Sequence, residues 1–255
     1  MSVQCGAGLA ATAAISVLTP MRGVSDVHVV PNGSAPIWSV ALYLASGAAA
    51  ALAVNWAADA LPGRDWRAAP SFAKGPWPGA ALKRHFIVTL ACLLGSLVAG
   101  AYAGWGARGF WLVLWGAILL LITVTDIEHR LVLNLVVGPA ALLAAAASVF
   151  GLGLSVGPLA MLEGGATGLG IFAVIALASR GKMGMGDVKL AGLIGLLLGY
   201  PNVVAALFLG IIFGGLVAVL ALIRGKGLRS SIPYAPGLAL GAIVVLFSLA
   251  SHMPA

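Results

Sequence analysis

Charge is what this sequence has least of. Charged residues fill 8% of its 255 positions, hydrophobic ones 61%, and the mean hydropathy is +1.08. A soluble domain carries roughly 25% charged residues. The shortage leaves too little polar surface to cover a globule of this size. It excludes a soluble enzyme and points to an all-α chain that crosses a membrane several times. Cysteine is scarce as well: Cys5 and Cys92 stand far apart and form no CxxC pair. Neither a zinc site nor a disulfide framework is indicated. No HExxH or GxSxG is present, and His28, His85, His129 and His252 are scattered. The net charge is +7, yet no basic cluster interleaves with aromatics. Nucleic acid is therefore not the expected partner, and the positive charge reads as a topology signal.

What is present is a series of long apolar runs. An α-helix rises about 1.5 Å per residue, so about 20 residues cross a hydrocarbon core of roughly 30 Å. Residues 1–36 read as an N-terminal extension ending in the loop chemistry of Val30–Pro36. Eight spans follow: Ile37–Ala58, Phe86–Ala107, Phe110–Thr125, Leu131–Phe150, Leu159–Ser179, Val188–Tyr200, Asn202–Ile223 and Ala235–Ser251. Gly138-Pro139 should kink the fourth. Asp59–His85 reads as a polar loop with Trp66, Phe72 and Trp77 as interfacial anchors. Small residues four apart recur at Gly100 and Gly104, Gly164 and Gly168, Gly195 and Gly199, and Gly210 and Gly214. That spacing lets helices approach closely in lipid and carries no chemistry.

The lysines and arginines fix an orientation. All but Arg22 and Arg108 fall in Asp59–His85, Asp126–Arg130, Arg180–Lys189 or Arg224–Tyr234, which eight spans place on one side. Positive residues accumulate in cytoplasmic loops. The expectation is a multi-pass protein of the bacterial inner membrane, with those loops in the cytoplasm and both termini outside.

Two of the seven acidic residues, Asp126 and Asp187, lie at the edges of apolar spans on that same face. Ionisable residues at membrane depth mark function by default. Two carboxylates a few ångströms apart cannot both ionise easily and come to share a proton. The ionised one can then draw a proton from water while the protonated one holds a carbonyl oxygen. Gly184 and Gly186 flank the second aspartate and would let a substrate backbone approach. Blander roles stand beside this one. Asp187 before Val188 reads as an N-cap, Arg130 or Lys189 as a neutralising neighbour, and Glu128-His129-Arg130 as an interfacial charged turn. A membrane transporter using Asp126, Asp187 and Glu163 is the alternative function. Internal symmetry would favour it, and the sequence shows no repeat.

The motifs around these residues are specific in combination. Gly184-Met185-Gly186-Asp187 resembles the GxGD signature of the type IV prepilin peptidases, integral-membrane aspartic proteases. Asp126–Asn134 resembles their first-aspartate motif, Ser231–Gly241 their loop into the last helix, and Ser46–Pro62 their first helix. The four stretches occur in the family's order and span residues 37–251. The resemblance implies a GxGD aspartic protease fold and a membrane peptidase domain at 37–251, with a short cytoplasmic loop at 59–85. It implies Asp126 and Asp187 as catalytic residues and Gly184 and Gly186 as substrate-binding ones. It also implies cleavage of prepilin or pseudopilin leader peptides at the cytoplasmic face, with no metal or other cofactor for proteolysis. Family members with a cysteine-rich zinc domain after the first helix also methylate the new N-terminus with S-adenosylmethionine. Here 59–85 contains no cysteine, so the zinc domain is missing, and S-adenosylmethionine would be needed only if methylation is retained.

Overall fold

The computed structural model describes residues 37–62, 78–153, 156–179, 183–223 and 234–252. The N-terminal extension, the three interfacial aromatics of the 59–85 loop and the basic loop 224–233 lie outside them. The described residues form eight helices: α1 (Ile37–Ala60), α2 (Pro78–Ala103), α3 (Ala107–His129), α4 (Asn134–Phe150), α5 (Pro158–Ala178), α6 (Met185–Leu198), α7 (Asn202–Ile223) and α8 (Ala235–His252). Five of them are long and apolar enough to cross a membrane: α1, α2 from Leu82, α3, α5 and α7 to Leu220. α4 and α8 are shorter apolar helices. The chain is a polytopic integral membrane protein, as its composition requires.

The helix boundaries depart from the hydropathy runs in informative ways. α3 continues through Asp126 to His129, so the first aspartate stands on helix and not in a loop. Hydropathy stops at the first charge, whereas the backbone bonding continues until something breaks it. The break is Arg130, in the left-handed conformation at φ 55° and ψ 39°, whose N–H bonds to Asp126 O at 2.9 Å. Arg108 and Gly109, which separate the second and third apolar runs, both belong to α3, and the chain turns earlier, at Gly104–Gly106. α4 runs unbroken through Pro139. α6 begins at Met185 with Gly184 as its N-cap, so Asp187 lies in the first turn and does not cap it.

α6 is the centre of the molecule. Its 14 residues make about 21 Å of helix, too short for the hydrocarbon core. Nine of them, from Val188 to Leu198, are buried among neighbouring helices. Beyond Lys189 the helix is apolar on every face, has no solvent side to present and is enclosed by others. α5 runs antiparallel to it at backbone contact. A Cβ at Gly164 would stand 2.6 Å from Gly199 Cα, and one at Gly168 2.9 Å from the Ala191 carbonyl carbon. α7 and α8 close in the same way, a Cβ at Gly237 falling 2.8 Å from Gly214 Cα. The pairs Gly164 and Gly168, Gly195 and Gly199, and Gly210 and Gly214 therefore mark tight crossings, whereas Gly100 meets the ring of Trp105 and Gly104 lies in the turn before α3.

α3 is the seam between two cores. Leu112, Trp115, Leu119 and Ile122 pack with α4, α6 and α8. Leu121 and Val124, on another face, pack with Ala51, Val54, Ala57 and Ala58 of α1 and Val88 and Cys92 of α2. At the start of α3 the Tyr43 hydroxyl donates to Gly106 O at 2.6 Å, and its ring stacks on Phe110 with centroids 4.4 Å apart.

Candidate active site

α3 delivers Asp126 in its last turn, and α6 delivers Asp187 in its first. The two helices run in opposite directions, so the end of one meets the start of the other. Asp126 is 6% exposed. Its Oδ2 accepts the backbone N–H of Ala235, the first residue of α8, at 3.2 Å. A helix N-terminus offers unpaired N–H groups and a partial positive charge, which suits a buried carboxylate. Asp187 is half-buried and lies within the field of the Asp126 carboxylate. The two predicted site carboxylates thus come together, framed by α3, α6 and α8.

The described residues hold no ion pair to either aspartate. Lys189 turns away from Asp187 and donates to Asn134 Oδ1 at 2.8 Å, fastening α6 to the first residue of α4. Arg130 contributes charge at a distance to Asp126. The neutralising-neighbour reading therefore gives way to a carboxylate pair held by a backbone N–H.

The two glycines do different things. At Gly184 a Cβ would lie 3.7 Å from Asp187 Oδ2, so its absence leaves the approach to that carboxylate open. Gly184 and Met185 are both exposed. At Gly186 a Cβ would strike Val132 Cβ at 2.9 Å. Val132 belongs to the short link between α3 and α4, just past Arg130. Gly186 therefore lets the first turn of α6 close onto the segment that follows Asp126.

Tyr234 completes the surroundings. Its ring lies 6.4 Å from that of Phe172 and covers Gly214, where a Cβ would be 3.0 Å from Tyr234 Cε2. Burial, and then the Asp187 charge, push its phenol above the usual range, so it stays protonated. Sequence reasoning missed Tyr234 and the Ala235 N–H as parts of the site. The stretch Ser231–Gly241 was noticeable as a motif, but a backbone donor leaves no side-chain signature.

Other charged residues fall elsewhere. Glu163 is exposed on α5, next to Gly164, which meets Gly195 and Gly199. Those residues end α6, so Glu163 stands at the far end of the bundle from Asp187. It cannot serve a common ion site with the pair. Glu128 and His129 do not form a plain interfacial turn, since Arg84 reaches Glu128 from α2 at 2.9 Å. Among the described residues no three His, Cys, Asp or Glu side chains gather to hold a metal.

Residues 111–219 match the model of the type IV leader peptidase family. That stretch runs from α3 into α7 and contains Asp126, Gly184, Gly186 and Asp187. The chain is also similar to the prepilin leader peptidase/N-methyltransferase of Bacillus subtilis (strain 168), 33% identical over 156 residues. The similarity covers 60% of this chain and 61% of that protein, so the chain spans less than two thirds of its relative's length. No solved structure matches the chain.

Proposed function

We propose that this chain, whose residues 111–219 match the model of the type IV leader peptidase family, is a membrane aspartic endopeptidase that removes leader peptides from prepilins or pseudopilins. The observation that carries this reading is the approach of Asp126 to Asp187, with no ion pair to either among the described residues and the first held by the Ala235 N–H.

Two such carboxylates share one proton. The ionised carboxylate takes a proton from a water molecule, and the resulting hydroxide attacks the scissile carbonyl. The protonated carboxylate donates to the carbonyl oxygen as it gains charge. The tetrahedral adduct then breaks its C–N bond, and the leaving amine takes up the proton held by the first carboxylate. Gly184 gives the substrate backbone room beside Asp187, and Gly186 keeps the first turn of α6 close to Val132. No metal or organic cofactor takes part. S-adenosylmethionine would be bound only if the chain also methylates the new N-terminus.

The charge distribution supports an inner-membrane location with the site at the cytoplasmic face and both termini outside. A leader that stays in the cytoplasm ahead of an apolar helix would present its junction at that depth, between the lipid bilayer and water. The test is leader cleavage of a co-expressed type IV prepilin, with wild type compared to Asp126→Ala and Asp187→Ala at matched membrane levels. Both variants should lose at least ~10²-fold in rate. Wild-type cleavage by either one would make that aspartate structural and remove the dyad.

A further inference from the structure

We propose that Arg84 is a positioning residue for the proteolytic pair, acting through Glu128 to set the last turn of α3. The proposal rests on the dyad reading above. Arg84 lies on α2, 8% exposed, in a position that hydropathy alone would assign to a solvated loop. Its Nη1 donates to Glu128 Oε2 at 2.9 Å, and its Nη2 to Asp59 Oδ1 at 2.6 Å. One guanidinium therefore ties the ends of α1, α2 and α3 together. His85 and His129 flank the network, His85 Nε2 lying 3.6 Å from Asp59 Oδ2 and His129 Nε2 3.9 Å from Glu128 Oε2.

The geometry of α3 turns this tie into a control on the site. Two residues advance a helix by about 200°. Asp126 points toward α8, where it meets the Ala235 N–H, so Glu128 points the opposite way, toward α2. The last turn of α3 is thus gripped on both sides. It needs such a grip because Arg130, in its left-handed conformation, ends the helix one residue past His129. Below the network, Val88, Ala57, Ala58 and Val124 pack as one apolar cluster, which holds Arg84 at a fixed height. A planar fork can bridge two carboxylates on different helices, and a lysine ammonium cannot do so with the same geometry.

The experiment uses the full chain in detergent micelles with a prepilin precursor as substrate. The variants are Arg84→Met, Arg84→Lys, Glu128→Gln and the Arg84→Met/Glu128→Gln double. A displacement of about 1 Å at a reacting group can lower a rate ~10²-fold. Arg84→Met should lower kcat by ~10–100-fold with KM within about twofold. Arg84→Lys should restore part of that loss, and Glu128→Gln should lower kcat less. The double variant should be no worse than Arg84→Met, since both act along one path. Hydrogen exchange at the Ala235 amide gives a readout independent of activity, and Arg84→Met should accelerate it while the centre of α6 stays protected. Should Arg84→Met fail to fold, Glu128→Gln and Asp59→Asn, which each remove one pair and keep the arginine, carry the same two readouts. Wild-type kcat and wild-type Ala235 exchange in the folded variants would overturn the proposal, as would a loss confined to KM. If wild type itself cuts no prepilin, the peptidase reading fails, and the Ala235 exchange alone decides whether Arg84 sets the α3 end.

Discussion

The same substitution at two positions of one helix should have opposite effects. Gly164 and Gly170 both lie on α5. At Gly170 an added Cβ meets nothing within 4 Å, so Gly170→Ala removes only the glycine penalty and should stabilise by ~0.5–1 kcal/mol. At Gly164 the Cβ would stand 2.6 Å from both Gly199 C and Gly199 Cα, with the Gly195 carbonyl oxygen nearer still. Ordinary contact begins near 3.4 Å, so α5 and α6 would have to separate by about 0.8 Å. The neighbours are backbone atoms and have no rotamer to change. The overpacking cost should reach the top of its usual range, ~3 kcal/mol, leaving about 2 kcal/mol of net loss after the helix-propensity gain. At about 2–4 °C per kcal/mol, Tm should fall by roughly 4–8 °C for Gly164→Ala and rise by roughly 1–4 °C for Gly170→Ala. Tryptophan fluorescence in micelles reports this directly, because Trp115 is fully buried in the core that contains α6. Equal shifts for the two variants would refute the packing argument. A stabilised Gly164→Ala would do so more strongly.

Three further outcomes are expected. Gly186→Ala should lower cleavage by about tenfold through its collision with Val132 Cβ, and Val132→Ala in the same chain should recover most of it; failure of that rescue would separate Gly186 from Val132. Extensive dialysis against a chelator should leave prepilin cleavage unchanged, and a loss restored by adding a divalent metal would remove the two-carboxylate mechanism. Tyr234→Phe should leave both limbs of the pH–rate profile in place between pH 5 and 9. Burial and the Asp187 charge hold its phenol above the ordinary tyrosine range, so it keeps its proton throughout that window, and an alkaline limb that vanished in the variant would contradict its assignment.

Much of this protein could be read before any coordinates. The near absence of charge left burial in lipid as the only outcome for most of the chain, and helix as the only spanning form open to it. Spans one, five, seven and eight begin and end within about two residues of their helices. The errors cluster where charge and helix overlap. Asp126–His129 and Met185–Asp187 fall outside the apolar spans yet lie on α3 and α6, because hydropathy measures transfer into lipid, not backbone bonding. Arg84 was assigned to a loop for the same reason, and only the approach of Asp59 and Glu128 from other helices makes its burial tolerable.

By itself the sequence determined the class of the protein, the eight apolar spans that appear as helices among the described residues, and the two aspartates that stand apart from the rest. Those features depend on composition and on spacing along the chain, which are local. The tertiary structure decided what those aspartates face. The Ala235 N–H lies 109 residues from Asp126, Val132 fills the space left at Gly186, and Arg84 reaches Glu128 across 44 residues. The first two follow from the packing of a short α6, apolar beyond its first turn, among longer helices, and the third from the packing of α2 against α3. Packing over long sequence separations leaves no periodic trace in any one segment, so it had to be seen in three dimensions.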